Sequence, residues 1–122
     1  MDNPAPGFRK RPAHRIVLDA GSDPVTVMLG EAIVAMTTAA VVLREDGYPA
    51  RAYVPERDVR ATLAPTAKTT HCPFKGDTVY FDVTVGGTTV RNAAWSYRTP
   101  YDEMAAIAGL VSFDDRFEVR IG

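Results

Sequence analysis

Two adjacent glycines between alternating runs constrain this chain more than any other feature. Val79, Phe81, Val83 and Val85 alternate with Thr78, Tyr80, Asp82 and Thr84, Gly86-Gly87 follows, and Thr88 to Tyr97 returns. Only glycine takes positive φ freely, so a two-residue Gly-Gly loop predicts a tight hairpin. Its register sets Val83 opposite Val90 and Asp82 opposite Arg91, which matches apolar with apolar and acid with base. Tyr80, Asp82, Arg91, Trp95 and Tyr97 then point to one side of the hairpin, and Val79, Phe81, Val83 and Val90 to the other. The aliphatic face reads as core. The opposite face is aromatic and charged.

The rest of the chain continues in short strands. Ile16-Val17-Leu18 precedes a turn at Gly21-Ser22-Asp23-Pro24, Val25 to Leu29 alternates, Gly30-Glu31 marks a hairpin turn, and Ile33 to Thr37 returns. Ala39 to Arg44 is a further β-rich run closed by Glu45-Asp46-Gly47. Dense β-branched residues and regularly spaced turn signals favour strands here, with a helix through Ala32–Leu43 as the rival reading. A helix is expected after Pro55, with Glu56 and Asp58 at its positive end and Pro65 terminating it. A second is expected over Tyr101 to Ala108, where Met104, Ile107 and Ala108 share one face. Val111 and Phe113 are expected to close a hairpin with Phe117 and Val119 across Asp114-Asp115-Arg116. Residues 1–14 hold Pro4, Pro6, Gly7 and Pro12 without periodicity and read as a flexible arm, ahead of a single β-rich domain over 15–122.

With 122 residues the chain has room for one domain only. A formal net charge of −1 argues against a nucleic-acid footprint spread over the domain. No apolar run follows the basic residues near the start, and Ala32–Leu43 is too short to span a bilayer, which takes about 20 residues. The reading is a soluble cytoplasmic protein, and the lone Cys72 agrees with a reducing compartment. No intrachain disulfide can form, and no metal site is expected, because His14, His71 and Cys72 lack paired ligand spacing. Phosphate-binding glycine loops and the serine elbow are absent, and no cofactor is implied.

Two clusters carry potential chemistry. Thr70-His71-Cys72-Pro73-Phe74-Lys75-Gly76 puts an imidazole, a thiol and an amine within five residues. Cys72 suits a nucleophile if nearby cations activate it, or a small core residue. Lys75 suits an anion anchor beside the Gly76 amide, an imine former, or a plain ion-pair partner of Asp77 or Asp82. His71 suits a general base, although neighbours on a strand point to opposite faces. The second cluster, Trp95-Ser96-Tyr97-Arg98-Thr99-Pro100, supplies large apolar rings with one polar atom each, which suit a pocket wall or core. The adjacent carboxylates Asp114-Asp115 sit where a turn is expected.

Tyr53-x-Pro55-x-x-Asp58, Thr70-x-Cys72-Pro73-x-Lys75-Gly76, Tyr80, Ala94-Trp95-Ser96-Tyr97 with Pro100, and Phe113 together resemble the family catalogued as domain of unknown function 427, from about Val25 to the C-terminus. The resemblance implies a compact, mainly β bacterial domain of strongly coiled sheets, akin to the β-tent architecture, and the residues add antiparallel hairpins and two short helices. It implies no established reaction. The nucleotidyltransferase-like label sometimes attached to the family implies a Gly-Ser loop and paired metal-binding carboxylates, and this chain has neither. Where the family often has a polar or acidic residue and then an arginine, this chain has Met36 and Ala39.

The leading expectation is a domain that binds a small anionic molecule, as monomer or homodimer. Its pocket lies between the Cys72–Gly76 loop and the strand bearing Trp95 and Tyr97, with Tyr80 in the wall and Asp58 closing it. Lys75 holds the negative group, and Cys72 is wall or nucleophile. The alternatives are an enzyme using Cys72 or Lys75 covalently and a partner-binding module using an exposed strand edge.

Overall fold

A computed structural model describes residues 2–122, and twelve short strands build the molecule among these described residues. In chain order they are β1 (Ile16–Asp19), β2 (Val25–Leu29), β3 (Ala32–Thr37), β4 (Val41–Glu45), β5 (Arg51–Tyr53), β6 (Thr62–Pro65), β7 (His71–Cys72), β8 (Gly76–Asp77), β9 (Val79–Val85), β10 (Thr88–Ser96), β11 (Val111–Phe113) and β12 (Glu118–Ile121). They pair as four antiparallel sheets, ordered β1-β4-β5, β11-β10-β9-β6, β12-β2-β3 and β7-β8. The protein is mainly β and forms a single compact domain. One short α-helix, α1 (Pro6–Lys10), and 3-10 segments at Glu56–Asp58 and Asp102–Ile107 complete it.

The glycine-led hairpin forms as β9–β10. Val83 faces Val90 as expected, but beyond Val90 the pairing shifts, so that Phe81 faces Ala94 and Tyr80 faces Trp95. Asp82 therefore does not face Arg91. Its carboxylate instead accepts the Asn92 backbone N–H at 2.8 Å, and Asn92 takes φ of 49°, a left-handed conformation that asparagine tolerates better than most residues. The bulge adds two residues. A slip of one would have turned every later side chain to the opposite face, whereas a slip of two preserves the alternation. Phe81 and Val83 remain in the core, and Tyr80 and Trp95 still share the other face.

The main core lies between the β12-β2-β3 and β11-β10-β9-β6 sheets, around Val25, Val27, Val34, Phe81, Val83 and Phe113. A second cluster gathers Val41, Leu43, Tyr53, Tyr97, Met104 and Ile107.

Several expectations need correction, and one holds in a tighter form. After Pro55 the chain makes a single 3-10 turn and not a helix. Arg60 N–H then donates to Val34 O at 2.7 Å, and Val59 bridges Ala35, so β3 takes the backbone groups that a helix would have needed. The short helix expected after Tyr101 forms over Asp102–Ile107, wound as 3-10 with a kink at Met104. Met104 and Ile107 are buried three residues apart, and Ala108 is exposed, as a tighter winding requires. The strands on either side of Asp114–Arg116 do not pair with each other. β11 joins β10 and β12 joins β2, so this turn crosses between two sheets, although the Phe113 and Phe117 rings still meet at 5.4 Å.

Residues 1–14, expected as a flexible arm, carry α1 packed on the body. Gly7 N–H donates to Pro73 O at 2.9 Å, Asn3 N–H to the Asp102 carboxylate at 2.6 Å, and Ala5 N–H to Glu103 at 2.8 Å. Phe8 meets the Phe74 ring edge-on at 4.9 Å. A Cβ on Gly7 would lie 2.7 Å from Phe74 and 2.9 Å from the Pro73 carbonyl oxygen, so glycine is what lets α1 seat. Gly7→Ala is expected to unseat α1 and cost about 1–3 kcal/mol. Urea unfolding measures the loss, and amide hydrogen exchange should quicken across residues 2–14 while β9–β10 stays protected.

Candidate functional site

The hairpin's aromatic face, the Cys72–Gly76 loop, the β4–β5 turn and the chain after α1 enclose one large cleft of about 930 Å³. That is ample for a small molecule. Of the expected site residues, Cys72, Lys75, Tyr80, Trp95 and Tyr97 all line it. Asp58 does not. Its carboxylate accepts the Thr37 hydroxyl at 2.8 Å beside a separate shallow concavity, where it holds the end of β3. His71 is not in the cleft either. Exposed on β7, its Nδ1 lies 2.7 Å from Asp77 Oδ1. Strand alternation sends Cys72 inward and its neighbour outward, so the two form no dyad.

Lys75 is buried, 8% exposed, although it is a lysine. Its ammonium donates to Glu45 Oε1 at 2.6 Å, not to Asp77 or Asp82. The other oxygen of the same carboxylate accepts from His14 Nε2 at 2.9 Å. Both Glu45 and Lys75 side chains are about a tenth exposed, so this is a desolvated ion pair with a histidine on its far side. Lys75 Nζ also lies 3.8 Å from Cys72 Sγ. Gly76, at φ of 119°, lets the loop turn under Pro100, and Tyr101 N–H donates to Lys75 O at 3.0 Å. These contacts fix where the ammonium stands.

Aromatic rings form the adjoining wall. Trp95 Nε1–H donates to the Tyr53 hydroxyl at 3.2 Å, and the Tyr53 and Tyr97 rings lie 6.4 Å apart. Burial pushes the Tyr53 phenol up to about 12, with the Trp95 hydrogen bond opposing, and burial raises Tyr97 as well. Both hydroxyls thus stay protonated at neutral pH and can donate into the cleft. Tyr80 OH is 3.2 Å from the Thr70 hydroxyl. Lys68 Nζ sits 4.6 Å from the Tyr80 ring centre, and the Arg51 guanidinium 5.4 Å from that of Trp95.

Six lysine or arginine side chains line the cleft against three carboxylates, on a chain whose formal net charge is −1. Lys75 is neutralised by Glu45, Arg51 pairs with Asp115, and Arg116 with Asp114. Among the described residues, Arg11, Lys68 and Arg91 have no carboxylate partner. Arg91 and Asn92 lie in the β10 bulge and line the cleft. Sequence reasoning missed Glu45, which reads as the start of a turn, and gave His14, in a stretch without periodicity, no part in the cleft. Nothing local marks them. Their roles arise from contacts with residues at least thirty positions away. Among the described residues, no three His, Cys, Asp or Glu side chains are grouped to hold a metal ion, and no helix is long and apolar enough to cross a membrane.

Removing one member of a buried ion pair strands the other, at about 3–5 kcal/mol. Glu45→Gln and Lys75→Met are each expected to destabilise by about 3 kcal/mol, and the double variant by less than their sum. Chemical denaturation of the three variants tests this coupling.

The phenols set a separate pH dependence. A raised folded pKa means that the unfolded chain releases its proton first. Stability is then full below pH about 10 and falls as pH rises toward 12, by about 1.4 kcal/mol per unit for each buried phenol. Tyr97→Phe is expected to make that decline shallower, as read from denaturation midpoints across the alkaline range.

The sequence matches the family described as Domain of unknown function (DUF427) over residues 17–121, which leaves α1, Arg11 and His14 outside the matched region. Among curated proteins, none matches the chain. The match covers most of the chain, and the protein belongs to the DUF427 family.

Proposed function

We propose that the cleft binds a small anionic molecule with an apolar or aromatic body. The supporting observation is the ring of unpartnered cations, Arg11, Lys68 and Arg91, around a cleft walled by Tyr53, Tyr80, Trp95 and Tyr97. Cations without carboxylate partners on an otherwise near-neutral chain repel one another, and a bound anion relieves that repulsion. The rings offer apolar contact, and the protonated phenols offer hydrogen-bond donors to an oxyanion.

In this reading Lys75 and Glu45 are the rigid floor. Lys75 contributes positive potential but spends its short hydrogen bond on Glu45, so the anion's direct partners are the three rim cations. Cys72 is wall. A covalent role for Lys75 would require breaking the 2.6 Å contact first, and a base for Cys72 is not in place, because His71 faces away and His14 is bonded to Glu45.

Thermal unfolding with inorganic phosphate, a dicarboxylate and an aryl phosphate tests the proposal. A ligand at about 100 times its Kd should stabilise by about 2.7 kcal/mol. The aryl phosphate should bind more tightly than inorganic phosphate, and the shift should weaken with added salt. Arg91→Ala and Lys68→Ala should each lower the affinity with the unliganded stability unchanged. No shift with any of the three probes would sink the reading.

A further inference from the structure

We propose that β12 is the contact strand of a symmetric dimer, in which two copies of this chain join their β12-β2-β3 sheets edge to edge. The proposal is independent of the cleft.

β12 is an outer strand, and its residues Glu118 to Ile121 are all exposed. The opposite edge of the same sheet is covered, because Arg60 and Val59 bond to β3. The direction of the free backbone groups on β12 follows from its pairing. Gly122 N–H donates to Pro24 O at 2.7 Å, continuing the register that sets Arg120 opposite Thr26 and Glu118 opposite Met28. Bonded positions alternate in an antiparallel pair, so residues 118, 120 and 122 bond toward β2. Val119 and Ile121 therefore turn their N–H and C=O groups outward, with no strand to receive them. An exposed edge of this kind is a template for another strand.

Charge selects the partner and the register. A second β12 running antiparallel, with Val119 on the two-fold axis, bonds Val119 reciprocally to its copy and sets Glu118 opposite Arg120 in both directions. The Glu118–Arg120 pairs then fall at the non-bonded positions, where opposing side chains come closest. Moving the axis to Arg120 sets two arginines face to face, and moving it to Glu118 does the same with two glutamates. A shift by one residue breaks the hydrogen-bond alternation. Of the registers centred on Glu118, Val119 and Arg120, only the Val119-centred one satisfies both the backbone and the charges. Glu118 and Arg120 already share one face, with Nε 3.1 Å from Oε1. On the other face Val119 and Ile121, 37% and 40% exposed, continue the apolar row of Val27 and Val25. A second copy extends that row and shields both residues.

A strand pair of four residues is a small interface, so association is expected to be weak and reversible. Sedimentation velocity from roughly 10 μM to 1 mM should show a concentration-dependent dimer. Val119→Pro deletes an outward N–H that β2 does not use, so it should abolish the dimer and leave the circular dichroism spectrum unchanged. Glu118→Arg and Arg120→Glu should each raise the dissociation constant roughly tenfold, and the combined swap should bring it back near the wild-type value. β6 is an outer strand of a different sheet, and Thr62→Arg on it should leave the dimer intact. A wild-type monomer at about 1 mM, a dimer that survives Val119→Pro in folded protein, or a dimer lost in Thr62→Arg would each overturn the proposal.

Discussion

The carboxylate of Glu45 holds together three segments that are far apart in the chain. It accepts Lys75 on one oxygen and His14 on the other, and thereby ties the end of β4 to the β7–β8 loop and to the chain after α1. A buried ammonium costs several kcal/mol of lost hydration unless an opposite charge meets it closely, so Glu45 is what makes the position of Lys75 tolerable. Such a pair is often no more stabilising than well-packed hydrocarbon. Its consequence here is positional, because it sets where the loop stands relative to the aromatic wall.

The second constraint is the two-residue bulge in β10. It keeps the faces of the hairpin consistent, so one strand pair serves the core on one side and the cleft on the other. Arg91 and Asn92, within the bulge, line the cleft. The rings beneath are tied to each other through Trp95 and Tyr53, and are flanked by cations at Tyr80 and Trp95. A wall of tied aromatic rings beside cations without carboxylate partners is the chemical character of this site.

The N-terminal segment alters how the family match should be understood. The matched region, residues 17–121, supplies the wall and the floor, and the preceding residues supply Arg11, His14 and the helix seated on Pro73. One face of the cleft in this chain is therefore built from residues that the family description does not cover. β12 does not line the cleft itself, although Val119 shares a neighbouring concavity with Arg51 and Asp114 of the cleft wall.

What the sequence by itself determined was local. The alternation around Gly86-Gly87 settled which hairpin residues face the core, and a slip of two residues could not undo that, because side-chain direction has a period of two. The same locality brought Cys72, Lys75, Tyr80, Trp95 and Tyr97 to one place, since a loop and the hairpin it enters cannot lie far apart. Tertiary structure alone decided the partners. Lys75 had nearer acids at Asp77 and Asp82 and took Glu45, because only that carboxylate was buried beside it. Asp58 went to Thr37, β12 went to β2, and a proline-rich start became a docked helix. Each of these depends on contacts between distant segments. Periodicity and turn chemistry describe neighbours along the chain and carry no information about which distant surfaces will meet.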